Sequence, residues 1–254
     1  MRYGPAFQVS GTDPGTGEHE WLPALAELEL PELREPLPSR LLVVAPHPVD
    51  EVLGVGGLVQ SWSRVGVDVQ VLAVTDGERS KPAGWFGRRL LARQRRDESI
   101  RAHGRLGSDA TLHRLFVPDG KVEDRVGEVS EAVLARLGPD CCCAVTWRGD
   151  GHPDHEASGV AAAEAATTAG ARLLEFPVWM WHWARPGDTR VPWHRAKVAF
   201  LDGPALLAKR AALREFRTQL QASRTLLGAG KDVEPVLSQA RLERFRRPFE
   251  VVFT

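Results

Sequence analysis

Apolar and polar residues alternate along the chain in blocks that predict strands followed by helices, beginning at Arg40. Five largely apolar runs have the length of strands covered on both faces: "RLLVVA", "DVQVLAVT", "ATLHRLFV", "DCCCAVTW" and "RLLEF". Segments with apolar residues at helical spacing follow them, such as "VLGVGGLVQSWSRVG", which ends at Gly66. This repeated alternation predicts an α/β fold, a Rossmann-like, doubly wound and mostly parallel sheet in a single domain.

Two segments lie outside the regular alternation. Residues 1–37 are rich in proline, glycine and acidic residues. We expect them to form an irregular leader on the surface, with a short helix near "ALAELEL", beside a domain that spans residues 38–254. Residues 191–254 predict a strand at "AKVAFLDG", a long helix around "PALLAKRAALREFRTQL" and a closing strand at "FEVVF".

Composition narrows the classes of function. Lysine plus arginine and aspartate plus glutamate both number 33, which argues against the basic surface of a nucleic-acid-binding protein. No apolar run approaches the roughly 20 residues of a membrane span, and the first residues lack the apolar core of a signal peptide. Cys141, Cys142 and Cys143 are adjacent in a predicted strand, so they face alternate sides and cannot pair with one another. We therefore expect a cytoplasmic protein without a membrane span, and its oligomeric state stays open.

Polar residues follow four of the predicted strands, in "HPVDE", "TDGE", "PDG" and "GDGHPDH". Because ligands bind at the carboxyl ends of the strands in open α/β sheets, these residues are expected to share one site. His47 and Asp50 are one turn apart where the first strand ends, and His155 follows the fourth strand. Imidazole and carboxylate suit a catalytic zinc ion with three protein ligands. The sequence therefore predicts a zinc site at His47, Asp50 and His155, which another divalent metal would also fit.

These motifs carry a family resemblance. "APHPVDEVLGVGG" and "GHPDHEASG", with "TDGE", "RRDE" and "VPDG" between them, resemble the PIG-L/LmbE-like zinc-dependent N-deacetylase family, of the type that acts on N-acetylglucosamine conjugates. The resemblance covers residues 40–254. It implies a Rossmann-like fold and a zinc-dependent hydrolase that removes an acetyl or acyl group from the amine of a small amino sugar or glycoconjugate. The identity of the acyl group and of the glycan stays open.

The resemblance also implies a role for each matching position, and the three predicted ligands match the metal ligands of the family. His152 is expected to stabilise the tetrahedral oxyanion and to protonate the leaving amine. Asp154 is expected to orient a neighbouring histidine. The positions expected to contact the substrate are Glu78, Arg95 and Asp119.

Val49 departs from the family pattern, which has an aspartate there as the general base. Valine cannot accept a proton, and the loss of a positioned base typically lowers the rate by about 10²–10⁴. Three explanations stay open: a deliberately introduced inactivating substitution, a natural zinc- and sugar-binding homologue without turnover, or a substitute base. The nearest candidates for a substitute base are Asp154 and Glu51.

Three tryptophans alternate in "EFPVWMWHWARPGD", at Trp179, Trp181 and Trp183. On a strand they would share one face, either packed in the core or forming an apolar wall for a sugar ring or an acyl chain. His182 would then face the opposite side, where we expect it to reach the zinc site and bind substrate.

The glycines of "GVGG" offer an alternative function, a nucleotide-binding Rossmann domain. They come late after the first strand for a phosphate-binding turn, and the sequence contains no G-x-G-x-x-G motif. This alternative is therefore the weakest of those considered.

Overall fold

The computed structural model describes residues 13–80, 84–224 and 232–254, and residues 1–12 of the predicted leader lie outside this range. Seven strands form the main sheet in the order β3-β2-β1-β4-β5-β9-β6. Strands β1 to β5 pair in parallel, and β9 runs antiparallel to both β5 and β6. The predicted mostly parallel α/β sheet is confirmed. The strands are β1 (Arg40–Ala45), β2 (Asp68–Ala73), β3 (Thr111–Arg114), β4 (Cys141–Thr146), β5 (Arg172–Phe176), β6 (Ala196–Phe200), a separate antiparallel pair β7 (Ser223–Arg224) and β8 (Asp232–Val233), and β9 (Phe249–Phe253).

Helices cover both faces of the sheet, and each face has its own apolar core. Cys142 belongs to one core cluster and Cys143 to the other, as expected of neighbouring strand residues. The predicted long helix near residue 210 is instead two helices, α7 and α8, separated at residues 214–216. The helices are α1 (Glu18–Glu27), α2 (Asp50–Arg64), α3 (Trp85–Leu106), α4 (Val126–Leu134), α5 (Pro153–Ala169), α6 (Met180–Trp183), α7 (Gly203–Leu213), α8 (Arg217–Leu220) and α9 (Gln239–Glu243), with 3₁₀ turns at Glu123–Arg125 and Trp193–Arg195.

The described part of the leader contains the expected short helix, α1, which begins before "ALAELEL", and it packs against the rest of the protein. Trp21 on α1 is fully buried, lies edge-on against Trp181 and donates its indole N–H to the Trp181 carbonyl at 2.9 Å. The Arg247 guanidinium makes two hydrogen bonds to the Glu18 carboxylate, at 2.7 and 2.6 Å. One large aromatic side chain and one ion pair therefore hold this segment in place. The domain boundary at residue 37 stays a prediction.

The glycines of "GVGG" lie inside α2, where neighbouring elements come close. Gly54 faces the ring of Phe176, and Gly57 faces the side chain of Leu201. The helix is kinked at Val55, and the Glu250 carboxylate accepts the N–H groups of Gly57 and Leu58 at 2.7 and 2.9 Å. These glycines therefore serve helix packing, and the nucleotide-binding alternative is wrong.

Lys209 also forms hydrogen bonds at the kink in α2. Its ammonium group donates to the Leu53 carbonyl at 2.8 Å and to Glu250 at 2.6 Å, and both side chains are almost fully buried. An ion pair thus satisfies the backbone groups that the kink releases. Within the described ranges, no helix combines the length and the apolar character needed to cross a membrane.

Candidate metal centre and active site

The turn after β1 carries the first predicted ligands. Strand β1 ends at Ala45, and α2 begins at Asp50, whose carboxylate accepts the backbone N–H of His47 at 2.9 Å. This hydrogen bond fixes the carboxylate beside the imidazole. Val49, immediately before the helix, has a φ of +110°, in the region that β-branched residues rarely adopt.

The turn after β4 carries the third ligand. His152 precedes α5 as its N-cap, Pro153 occupies the first helical position, and the His152 Nδ1 accepts the N–H of Asp154 at 3.2 Å. This start of α5 places His155 in the first helical turn, fully buried and directed towards the end of β1.

The three predicted ligands meet. His47 Nδ1 lies 3.2 Å from His155 Nε2 and 3.3 Å from Asp50 Oδ2, and His155 Nε2 lies 3.2 Å from the same carboxylate oxygen. Donors at zinc-ligand distances around a tetrahedral ion lie about 3.3 Å from one another. The three atoms therefore have the spacing that one small divalent ion requires, and the residues fit the predicted metal.

Each imidazole also has a carboxylate on the nitrogen that faces away from this triangle. His155 Nδ1 lies 2.7 Å from Asp150, and His47 Nε2 lies 3.1 Å from both Asp119 and Asp154. Metal-binding histidines usually donate their second N–H to such a carboxylate, which fixes the ring and increases its basicity. The arrangement supports His47 Nδ1 and His155 Nε2 as the nitrogens for a metal.

The carboxylates around the triangle favour positive charge. Burial opposes protonation of His47, but hydrogen bonds to Asp119, Asp154 and Asp50 raise its pKa well above the ordinary histidine value. Burial likewise opposes the charge of His155, yet Asp50 and Asp150 raise its pKa to about 9. Carboxylates that raise the pKa of both imidazoles would also stabilise the positive charge of a divalent cation.

Asp150 is a site residue that the sequence reasoning missed. Its buried carboxylate contacts His155 and also accepts the backbone N–H groups of Val178, Trp179 and Met180, at 2.8, 3.0 and 2.9 Å. It therefore connects the predicted ligand His155 to the backbone of residues 178–180. The signal in the sequence was its place in "GDGHPDH", two residues before His152.

Neither candidate for a substitute base is free to act at the triangle. Glu51 accepts the N–H of Val49 at 3.0 Å and lies 3.6 Å from His103, on the side away from the cavity. Asp154 accepts the N–H groups of Gly120 and Val122 at 2.7 and 3.2 Å, and it lies against the Nε2 side of His47. Both carboxylates therefore accept hydrogen bonds from backbone N–H groups.

A cavity of about 320 Å³ opens at the triangle. Two of the four predicted substrate residues line it, Asp119 and Arg95. The Arg95 guanidinium is buried and donates to the Gly77 carbonyl at 2.6 Å and to Ser80 Oγ at 2.8 Å, so it shapes the turn after β2. Glu78 is not among the lining residues, and it accepts the N–H of Asp119 at 3.0 Å.

The three tryptophans do not form a common wall, because β5 ends at Phe176 and α6 replaces the expected strand. Trp179 lines the cavity and stacks on His152 with an interplanar angle of 19°. Trp181 packs against Trp21, and Trp183 donates its indole N–H to the Asp150 carbonyl at 2.7 Å. The expected shared face is therefore wrong.

The His182 ring lies edge-on to Trp179, and its Nε2 lies 3.7 Å from the Asp13 carboxylate. Burial, together with Arg241 and Arg244, lowers its pKa to about 4. It is not among the residues that line the cavity, so the structure does not bring it to the triangle.

Comparisons with known proteins agree with this geometry. The family model described as "PIG-L: GlcNAc-PI de-N-acetylase" matches residues 42–166, which include both ligand-bearing turns. Over these residues the chain matches the PIG-L/LmbE-like family. Proteins similar to it include a diacetylchitobiose deacetylase of Thermococcus kodakarensis, 29% identical, and a 1D-myo-inositol 2-acetamido-2-deoxy-alpha-D-glucopyranoside deacetylase of Rhodococcus erythropolis, 32% identical.

The alignments cover 52% of this chain in both cases and 51% and 55% of the two relatives, so the chain spans about half the length of the curated relatives that it matches. A solved structure of A40926 pseudoaglycone deacetylase superimposes with a TM-score of 0.61, covering 85% of this chain and 96% of that one at 22% identity. That likeness shows the shared fold.

Proposed function

We propose that this protein is a metal-dependent N-deacylase, with zinc as the metal, that hydrolyses an acetyl or acyl amide on a small amino sugar or glycoconjugate. One observation carries the proposal. His47, Asp50 and His155 present three donor atoms 3.2–3.3 Å apart, and each imidazole has a carboxylate on its other nitrogen. The names of the two curated relatives, both deacetylases of N-acetylated sugars, support the substrate class.

The residues around the triangle support an amide hydrolysis. A bound zinc ion would polarise the amide carbonyl and lower the pKa of a water molecule. Arg79, Ser80 and Asp119 line the cavity on the side of β2 and β3, where polar groups can bind hydroxyl groups of a sugar. Trp179, whose ring is nearly parallel to that of His152, also lines the cavity.

His152 fits the role of an oxyanion stabiliser better than that of a proton donor. Its Nδ1 accepts the N–H of Asp154, so the proton of the neutral ring belongs on Nε2. That N–H can donate a hydrogen bond to the charge that develops on the amide oxygen. Protonation of the leaving amine would remove this only ring proton, so we do not assign that step to His152.

Val49 sets the expected rate. Its side chain lines the cavity next to Asp50 and offers no acceptor, and neither Glu51 nor Asp154 replaces the missing base. We infer that binding of metal and sugar is retained while hydrolysis is slower than with a carboxylate at this position, by about 10²–10⁴. The extreme of this expectation is a binding homologue without turnover.

Metal analysis joined to an amine-release assay tests the proposal. The protein should bind about one zinc ion per chain, and chelation should stop the release of free amine from N,N'-diacetylchitobiose until zinc is restored. The His155→Ala variant should lose both metal and activity, whereas His19→Ala, on the exposed side of α1, should lose neither. A chain that binds no metal, or amine release that survives chelation, would overturn the proposal. Stoichiometric metal without amine release would favour the binding homologue.

A further inference from the structure

The cavity at the triangle has two chemically different halves. On the side of β2 and β3 it is lined by charged and polar residues, Arg79, Ser80 and Asp119. Away from these loops, the lining is mostly apolar, with His152 and Gln219 as its polar members. The apolar residues are Val49, Leu53, Val178, Trp179, Val236 and Leu237.

The two halves lie on opposite sides of the ligand triangle. In the sheet order, β2 and β3 lie on one side of the ligand-bearing strands β1 and β4, and β5 lies on the other. The Arg79 backbone N–H donates to Asp119 at 2.7 Å, which joins the polar loops to each other. An amide whose carbonyl lies at the triangle would therefore have one substituent on each side.

The apolar half is built by hydrogen bonds and does not depend on loose loops. The Leu237 N–H donates to the Gln219 carbonyl at 3.0 Å, and the Gln219 side chain donates to the Pro48 carbonyl at 2.6 Å. The Val236 carbonyl accepts from Arg241 at 2.8 Å. These bonds attach the C-terminal segment to the turn that carries the ligands, so the apolar wall is already formed.

Val49 makes this wall continuous up to the triangle. It directly precedes the predicted ligand Asp50, and Leu53 follows one helical turn later. Val49 and Leu53 are 3% and 2% exposed, so hydrocarbon reaches the position where an acyl group begins. A carboxylate at residue 49 would interrupt that surface with a charge.

We propose that the apolar half binds the N-acyl chain of the substrate and that chains longer than acetyl are preferred, while the amino sugar occupies the polar half. This inference rests on the proposed function, since it takes an N-acylated amine as the ligand at the triangle. Each methylene group that enters an apolar wall favours binding by about 0.8 kcal/mol, or about fourfold in affinity.

A series of N-acyl glucosamines with two, four and eight acyl carbons tests the inference. Affinity of the metal-loaded protein, measured by calorimetry, should rise several-fold from acetyl to butanoyl and further to octanoyl. Octyl N-acetylglucosaminide, which carries eight carbons on the glycosidic oxygen, is the matched control and should bind like the acetyl compound. An equal gain from the octyl glycoside, or no gain along the acyl series, would overturn the inference.

Two variants test whether the gain in affinity with acyl length depends on the apolar half of the cavity. Val236→Asp places a charge at the half-buried edge of the wall and should abolish most of the gain from chain length, measured as the ratio of the affinities for the octanoyl and acetyl compounds within the variant. Leu207→Asp makes the same type of change on α7, where the side chain is 68% exposed, and should leave the gain intact. If the gain in affinity with acyl length is the same in both variants, the assignment of the acyl chain to the apolar half is wrong.

Amine release distinguishes failure of this inference from failure of the proposed hydrolysis. Suppose that amine is released from the acetyl compound but that affinity does not rise for longer acyl chains. The proposed hydrolysis is then supported, and the binding of the acyl chain by the apolar half is overturned. Affinity that rises with acyl length, without release from any compound, keeps the wall and contradicts turnover.

Discussion

The turns after β1 and β4 build the same site with very different internal order. Each delivers an imidazole to the triangle, and each begins a helix directly afterwards. In the turn after β4, the Asp150 carboxylate has a donor on every side, namely His155 and three backbone N–H groups. The turn after β1 instead contains Val49, an apolar residue with a φ of +110°.

Under the proposed function, the difference makes ligand placement and proton transfer separable properties of this site. A β-branched residue in a sparsely populated region costs of order 1–3 kcal/mol and persists only where its surroundings impose it. Here Glu51 accepts the Val49 N–H, and the Val49 carbonyl accepts from Leu53 and Val52. The backbone of the turn is therefore kept in the shape that places Asp50, while the side chain that would accept a proton is absent.

Restoring a carboxylate is the strongest test of this difference. In Val49→Asp, we expect amine release to rise by about 10²–10⁴, because a base would then stand beside the triangle. Aspartate also tolerates a positive φ better than valine, so the variant should fold at least as well. Single-turnover rates with N,N'-diacetylchitobiose, together with metal content, measure the change.

Val49→Asn is the matched control, because it also relieves the backbone but cannot accept the proton. It should leave the rate close to that of the unmodified protein. A gain in Val49→Asn equal to that in Val49→Asp would mean that backbone strain, and not the missing base, limits turnover.

A substitution in the turn after β4 tests the other side of the comparison. Asp150→Asn keeps the size of the side chain but removes the charge behind His155, so we expect zinc affinity to fall by about 10–100-fold. Competition with a chromophoric chelator measures this affinity without any substrate. Asp124→Asn, on the exposed 3₁₀ turn before α4, provides the control. Unchanged affinity in Asp150→Asn would show that the carboxylate does not tune the ligand.

Local patterns in the sequence were sufficient for the sheet and for the three predicted ligands. Continuous apolar runs predicted strands β1 to β5, and the polar residues at their ends converge because parallel strands share an edge. His47 and Asp50 could be proposed as ligands because they closely follow the end of β1, and His155 because it belongs to the polar segment between β4 and α5.

Contacts between distant segments could not be predicted in this way. Asp150 binds backbone groups 28–30 residues later, and Lys209 pairs with Glu250 across 41 residues. Alternation of tryptophans predicted a strand face, yet the chain turns into α6, where tertiary contacts decide the direction of each ring. The contact of Trp21 was missed for the same reason, since nothing local in a proline-rich segment indicates that its partner is Trp181, 160 residues later.

The smallest expected effect belongs to Glu51, and it completes the comparison of the two turns. Its carboxylate accepts the Val49 N–H at 3.0 Å and lies outside the cavity, so it holds the strained backbone and has no path to a water at the triangle. Glu51→Gln keeps an acceptor oxygen for that N–H, and we expect the rate of amine release to change by less than about threefold. Stability should fall by about 1 kcal/mol in denaturant unfolding, because a charge-assisted hydrogen bond becomes a neutral one. A rate loss of about 10² or more at unchanged metal content would identify Glu51 as the base and would remove the reason for slow turnover at Val49.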